Sequence, residues 1–398
     1  MPENSRVPMG LACLLALLSM LSPFAIDTCL PSFRAIQQDF DLSALSVQQL
    51  LTFYMLPYAV MSLVYGPLSD ALGRRRVVLI GVSGFALASL ACTFAPNFAT
   101  LLVFRAAQGM TGGAGMAVSR AVIRDLYDGP AAQRMMSVVT MLFTFAPALA
   151  PMIGGWIQTV ADWRAVFGFL ALLSLCILWA CWAMLSESHP PEKRLPFRPG
   201  PLISAAWNVA LHREFQWLAS ANAFTHGALM MVIGAAPVIV LDHWHLKETQ
   251  FIWLFLPVVS GFMLGAYASG RMAGRFTSKK QLKIGLGISL GGAFLAAAMH
   301  AAIDSPPIFA QQLLLACCAI GIQISGPAMT LRMLDLFPDT RGTVSSVQVF
   351  VSLLLGGVSM GLIAPLLSHS LLLVKLWMLG SFALAWLLWR AAERHVAR

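Results

Sequence analysis

Asp27 stands in an otherwise apolar run that begins at Met9, and Arg105 stands in Leu101-Leu102-Val103-Phe104-Arg105-Ala106-Ala107-Gln108-Gly109. Hydrocarbon heavily penalises an ionised side chain, so each of these is a functional candidate by default. A carboxyl in that setting can hold a proton or offset the charge of a cationic guest. A guanidinium there must face a protein interior and find partners. Of the 17 acids, all but Asp27 fall in loops or at the ends of apolar segments. At about 1.5 Å per helical residue Asp27 lies about 27 Å along from Met9, which leaves a position near the membrane interface as the structural alternative. Against that alternative, Phe33, Ala35 and Ile36 extend the apolar run past Arg34. Pro31 has no N–H, so the carbonyl of Asp27 loses its helical partner and is free to bind something. Gln108, three residues after Arg105, shares its helix face. The alternative role for Arg105 is a buried hydrogen-bond hub with no part in chemistry.

A second charged constellation is Gly66-Pro67-Leu68-Ser69-Asp70-Ala71-Leu72-Gly73-Arg74-Arg75-Arg76, between the apolar segments Val47 to Tyr65 and Val77 to Phe94. The link is too short for a domain, so two helices must turn back tightly. Gly66 and Gly73 are expected to supply backbone freedom and close approach. Asp70 falls at one helix end and the three arginines stay in water at the next, where an ion pair can make and break. Anchoring by positive charge would alone account for Arg74, Arg75 and Arg76. Further along, Ala146-Pro147-Ala148-Leu149-Ala150-Pro151-Met152-Ile153-Gly154-Gly155 carries two prolines that bend a helix and paired glycines that allow close packing. An ordinary kinked packing helix is the plainer reading of it. Tyr54, Tyr58, Asn222, His226 and Gln323 are other polar residues at membrane depth; with Phe53, Phe224, Met230 and Met231 they could line a cavity. Each alone is more often a packing residue.

The elements that must position these residues are legible in the composition. Charged residues make up 11% of the 398-residue chain and hydrophobic residues 58%, against roughly 25% charged in a soluble domain. Such a chain could not cover a soluble surface, and the expected class is an all-α integral membrane protein. Apolar segments fall near 9–30, 47–69, 77–94, 98–123, 135–160, 164–185, 215–241, 249–270, 284–302, 308–331, 342–367 and 371–389, twelve candidate spans. The first could pass for a secretory signal, but it is too long and lacks a small-x-small cleavage site, so it is expected to remain as a span. Of the 26 Lys and Arg, 21 fall in one set of alternate loops and four (Arg34, Arg164, Lys247 and Lys375) in the other, with Arg105 inside a span. The larger set starts at Arg6 and ends at Arg398. This asymmetry predicts both termini in the cytoplasm and accounts for the net charge of +9 without a nucleic-acid partner. The seven cysteines have neither disulfide-framework nor zinc spacing and read as small apolar residues.

The long loop 186–214, broken by Pro190, Pro191, Pro196, Pro199 and Pro201, is the natural cytoplasmic linker between residues 1–185 and 215–398, each holding six spans. The halves echo one another. Asp125-Leu126-Tyr127-Asp128 with Arg134 and Ser137 recurs as Asp335-Leu336-Phe337-Pro338-Asp339 with Arg341 and Ser345. Gly73-Arg74 recurs as Gly274-Arg275, with Arg271 where the first copy has an acid. Both matches fall in corresponding loops, which favours a parallel internal repeat.

Gly-x-x-x-Asp-x-x-Gly-Arg-Arg between spans two and three resembles the signature loop of the major facilitator superfamily. Arg105-x-x-Gln108-Gly109 in span four and the Pro/Gly-rich span five resemble its drug:proton antiporter branch. Asp27-Thr28-Cys29-Leu30-Pro31-Ser32-Phe33, followed by Ile36 and Asp39, resembles the bicyclomycin-resistance (Bcr/CflA) type, with Ile26 and Cys29 where that type usually has Thr and Tyr. The resemblance covers about residues 9–390. It implies twelve transmembrane helices in two six-helix pseudo-symmetric bundles. It implies a proton-coupled carrier that exports small lipophilic compounds from a bacterial cytoplasmic membrane by alternating access, working as a monomer without a cofactor. Export or uptake of a specific sugar or amino acid is the alternative. No Gly-Lys-Ser/Thr phosphate loop points to ATP. A polytopic membrane enzyme is the rival class; Asp242, His243, His245 and Glu248 are its best candidates, and His-x-His is a weak metal signal.

Overall fold

The computed structural model of the chain describes residues 9–194 and 197–396. Arg6, Pro196 and Arg398, named above, lie outside the described residues. Within those bounds the protein is helical, with no strand among the described residues. The helices are α1 Met9–Asp27, α2 Phe33–Asp39, α3 Ala44–Ser62, α4 Tyr65–Leu72, α5 Arg74–Thr93, α6 Phe98–Leu126, α7 Gly129–Thr144, α8 Ala146–Val160 and α9 Arg164–Met184. After the long loop come α10 Pro199–Leu211, α11 Arg213–Gly234, α12 Ile252–Met272, α13 Ser278–Ala302, α14 Ile308–Asp335, α15 Arg341–Val358, α16 Ala364–Leu367 and α17 Leu371–Val396.

Among the described residues nine helical segments are long and apolar enough to cross a membrane, or ten when α3 and α4, bent by 52°, count as one. Helices α6 and α11 are as long, at 29 and 22 residues, but they carry Arg105 and Gln108, or Asn222 and His226. Those polar residues keep them outside the apolar set. The loop 186–214 is less irregular than its prolines suggest: a 3₁₀ turn occupies Pro191–Lys193, and α10 fills thirteen of its positions.

Several spans are broken where proline removes a donor. Helix α1 stops at Asp27, a 3₁₀ turn spans Leu30–Ser32 with Pro31 inside it, and α2 resumes at Phe33. Between α7 and α8 the chain breaks at Phe145; Pro147 lies in the first turn of α8 and Pro151 within it. The later part of the chain uses π-helical turns instead, at Val238–His243 and Ser359–Ile363. Broken backbone at membrane depth is tolerated where it is buried in protein.

By contact the described chain divides into two compact units, residues 1–40 with 53–199 and residues 41–52 with 200–398. In the first unit α1 is surrounded by α6, α7, α8 and α9, and α5 lies between α6 and α9. In the second, α14 lies between α12 and α13, and α11 packs on α15 and α17. Residues 41–52 group with this second unit, where Gln48 Nε2 donates to the Gly234 carbonyl at 2.9 Å. Small residues permit the closest approaches. A Cβ on Gly109 would collide with the Tyr54 carbonyl, and one on Gly154 with the Thr28 carbonyl. Gly109→Ala is therefore expected to destabilise the protein by about 1–3 kcal/mol, since backbone cannot yield as a side chain can. Gly291→Ala, mid-helix in α13 with open space around it, should not lower the unfolding midpoint in detergent and should raise it slightly, since Ala favours the helix over Gly.

Candidate functional site

Arg105 is fully buried in α6. Its Nη1 donates to Gln108 Oε1 at 2.6 Å, and Gln108 Nε2 donates to Ser89 Oγ at 2.7 Å. Ser89 in turn donates to the Phe85 carbonyl at 2.7 Å. The guanidinium also lies 4.4 Å from the Tyr54 ring centroid and 5.9 Å from that of Phe167. Stacking on aromatic faces is worth more where water is excluded. The Tyr54 hydroxyl is itself anchored, 2.7 Å from Ser22 Oγ. The expected pairing of Arg105 with Gln108 is thus present. Ser22, Ser89 and Phe167 complete the cluster; a serine inside an apolar helix was the only signal that sequence offered for two of them.

A longer contact, 3.4 Å, runs from Arg105 Nη1 to the Ala25 carbonyl, two residues before Asp27. Asp27 is 4% exposed, at the last residue of α1, where the first span breaks. The carboxyl is enclosed by protein, with the close crossing of Gly154 over Thr28 beside it. Among the described residues no hydrogen bond or ion pair reaches its carboxylate, and no ion pair joins it to Arg105. The site therefore holds an acid without a hydrogen-bond donor next to a helix break, and a cation bonded to Gln108 whose Nη1 reaches the carbonyl two residues before that acid. Gly155 is buried in the same helix as Gly154.

The loop after α4 forms a lock at one end of the first unit. Gly73 has φ +96°, and a Cβ there would meet Arg194 Nη2 at 2.6 Å as well as Glu187. Arg74 is buried; its Nη1 meets Asp70 at 2.5 Å and Ser69 Oγ at 2.6 Å, and its Nε meets Asp125 at 3.0 Å. The Arg74 N–H donates to Glu187 Oε1 at 2.9 Å, and Ser188 Oγ donates to Asp125 at 2.9 Å. Arg75 caps the end of α9 by donating to the carbonyls of Leu185, at 2.8 Å, and Trp182, at 2.9 Å. Arg76 is exposed. Three adjacent arginines thus have three separate roles, and the expectation that all three stay in water holds for Arg76 alone. The reading of Gly66 is also corrected: it has ordinary helical backbone and open space around it, so neither strain nor close approach calls for glycine there.

In the second unit Asn222, His226 and Met230 lie on one face of α11 towards α15. Asn222 Nδ2 donates to Ser352 Oγ at 3.1 Å, and a Cβ on Gly356 would sit 3.4 Å from the His226 ring and 3.0 Å from Met230. Gln323 goes elsewhere, packing at Gly265 of α12. Tyr58 is buried and donates to Met116 Sδ at 3.4 Å, whereas Phe53 is exposed. Lys375, counted with the outer-loop cations, lies inside the apolar segment 371–389 and is 5% exposed within α17, packed among protein one turn from its start at Leu371. The metal reading of the Asp242–Glu248 segment gains no support. Among the described residues no three His, Cys, Asp or Glu side chains gather as ligands, and His243 Nε2 lies 2.8 Å from the Ser368 carbonyl. All seven cysteines are free thiols.

Long apolar helices, broken around a buried acid and cation and tied at one end by ion pairs, define a polytopic membrane carrier. The chain belongs to the Major Facilitator Superfamily, whose family model matches residues 13–360. It is 34% identical over 278 residues to an uncharacterized MFS-type transporter, YdgK, of Bacillus subtilis, covering 69% of each chain. It is 28% identical over 361 residues to a bicyclomycin resistance protein homolog of Haemophilus influenzae, covering 88% of each. It is also 31% identical over 276 residues to multidrug resistance protein D of Escherichia coli, covering 68% of this chain and 67% of that one. Among solved structures a bacterial homolog of the lysosomal transporter Spinster matches with a TM-score of 0.71 at 17% identity, over 98% of both chains. A D-xylose-proton symporter matches with a TM-score of 0.70 at 15% identity, over 95% and 97%. These structural likenesses carry the fold.

The lock yields a direct test. Glu187 accepts from the backbone of Arg74 and His189 and pairs with Arg194 at 3.6 Å. Glu187→Ala should raise protease cleavage between residues 185 and 199 about tenfold, the equivalent of one lost charge-assisted bond. Arg76→Ala should leave the cleavage rate unchanged.

Proposed function

We propose that the protein exports small, mostly lipophilic compounds, drugs and antibiotics among them, in exchange for protons by alternating access. The observation that carries this reading is the unpaired, buried carboxyl of Asp27 at a break in a membrane-crossing helix. Relatives named for bicyclomycin, chloramphenicol and multidrug resistance support the substrate class. The proposed setting is the bacterial cytoplasmic membrane, with twelve spans in two six-helix bundles, both termini cytoplasmic, and the monomer as the working unit.

In this reading a proton and a cationic or neutral substrate compete for Asp27. Arg105, with Gln108, biases that competition through the field of its buried charge. The lock around Gly73, Asp70 and Arg74 holds one end of the first unit in one state and opens in another. Pro147, Pro151, Gly154 and Gly155 keep α8 bent and close to the break beside Asp27. Asn222 and His226 are proposed as substrate contacts of the second unit; Gln323, which packs at Gly265 of α12, is left out of that set. A panel of compounds screened for efflux in a pump-deficient host identifies the substrate, and uptake of a sugar or amino acid instead of drug efflux would overturn the reading.

Asp27→Asn is expected to abolish uphill, proton-driven efflux in proteoliposomes while downhill exchange persists. Uphill transport at the parent rate would remove Asp27 from the mechanism.

Substrate charge is constrained by the same carboxyl. Ser19, two turns before Asp27, carries a hydroxyl bonded to the Leu15 carbonyl at 2.8 Å, so no second acid stands on that stretch of α1. One carboxylate offsets one positive charge, and a dication would leave net charge in low dielectric. Neutral and monocationic compounds should be exported and dications should not, with monocation–proton exchange electroneutral. Flux measured against an imposed membrane potential checks this: a voltage-driven monocation flux contradicts it.

A further inference from the structure

Helix α10 has three faces with different chemistry. Val209 is 2% exposed and faces protein. Ile203, Trp207 and Leu211, spaced i, i+4 and i+8 on one line, are 67%, 63% and 58% exposed. Ser204 and Asn208 form the adjoining exposed line. An apolar line of this size left in water would be costly, and soluble surfaces seldom carry one.

Its place in the chain says what covers it. Only His212 separates Leu211 from Arg213, the first residue of α11. The end of α10 must therefore lie within a few ångströms of the end of a long helix of the membrane carrier. Nothing on α10 is acidic, and exposed Arg198 and Arg213 flank it. Glu214, the acid nearest the flank, is buried and occupied by Arg332 at 2.9 Å. Tryptophan with flanking arginines is the composition that settles at a bilayer interface, where the ring straddles the headgroup level and the cations meet anionic lipid.

We propose that α10 lies in the bilayer surface at that end of the spans, with Ile203, Trp207 and Leu211 in the acyl boundary, Ser204 and Asn208 in water, and Arg198 and Arg213 on anionic headgroups. The connection between the two halves is then a lipid-bound element, and its position depends on the surface charge of the membrane.

The test uses the full-length protein in nanodiscs, with exposed Cys13 and Cys176 changed to serine. An environment-sensitive fluorophore is placed in turn on Ile203→Cys, Trp207→Cys, Ser204→Cys and Asn208→Cys. Brominated lipid should quench the first two positions and aqueous iodide the last two. Raising phosphatidylglycerol against phosphatidylcholine should increase lipid quenching at position 203 several-fold, and Arg198→Gln with Arg213→Gln should remove that increase. Iodide quenching alike at all four positions would place the helix in water and overturn the proposal. Quenching by neither agent would mean that protein covers the helix, which overturns the proposal equally. A face pattern indifferent to phosphatidylglycerol would overturn the anionic-lipid part.

Discussion

A guanidinium cannot be left bare in hydrocarbon, and the first unit is arranged around meeting that demand for Arg105. Its Nη1 donates to Gln108, whose amide donates in turn to Ser89, and the Tyr54 ring covers its flat face. The Arg105–Gln108 bond lies within α6, but the contacts to Ser89 and Tyr54 exist only because α5 and α3 approach that helix closely. Gly109 lets the α3 backbone touch α6 at the level of the cation itself. The polar chain and the glycine are thus one device: the packing puts the partners within reach, and the partners make the burial tolerable.

Asp27 is treated in the opposite way. It sits at the end of α1, enclosed by protein but with no donor closing on it. A fold whose purpose was stability alone would neutralise such a group or replace it with an apolar one. The cation is thus held by named polar and aromatic partners, while the acid two residues beyond Ala25 is enclosed without one.

Outside hydrocarbon each unit ties its helix ends with buried charge. In the first, Arg74 gathers Asp70 and Asp125, while Glu187 accepts its N–H. In the second, Arg332 near the end of α14 pairs with Glu214 and Glu393, and Lys279 adds to Glu393 at 2.9 Å. The central charge comes from α5 in one unit and α14 in the other. The halves therefore repeat the principle with different residues, which explains why Gly274-Arg275 keeps the backbone turn, with φ +74° at Gly274, but lacks the acid.

The sequence by itself determined the class and the family, and singled out the polar residues that stand in apolar runs. Apolar runs of span length, one intramembrane acid, one intramembrane arginine and the Gly73-Arg74 loop are local facts, readable because hydrocarbon makes every polar exception conspicuous. A lost donor at Pro31 and a bend at Pro147 and Pro151 were legible because a missing N–H acts wherever it stands; that the helices would break at Asp27 and Phe145 was not. Tertiary structure alone decided which partners those residues have. Ser89 and Ser22 look like ordinary small residues until helices remote in sequence bring them to Gln108 and Tyr54. Nothing in Arg74-Arg75-Arg76 says that the first is buried, the second caps α9 and the third is exposed. Lys375 stands one turn inside an apolar segment that starts where α17 does, and only packing decides that it is buried and not in an outer loop. Hydropathy depends on what a residue is, whereas burial, pairing and strain depend on what is packed against it, and that is settled only when distant helices meet.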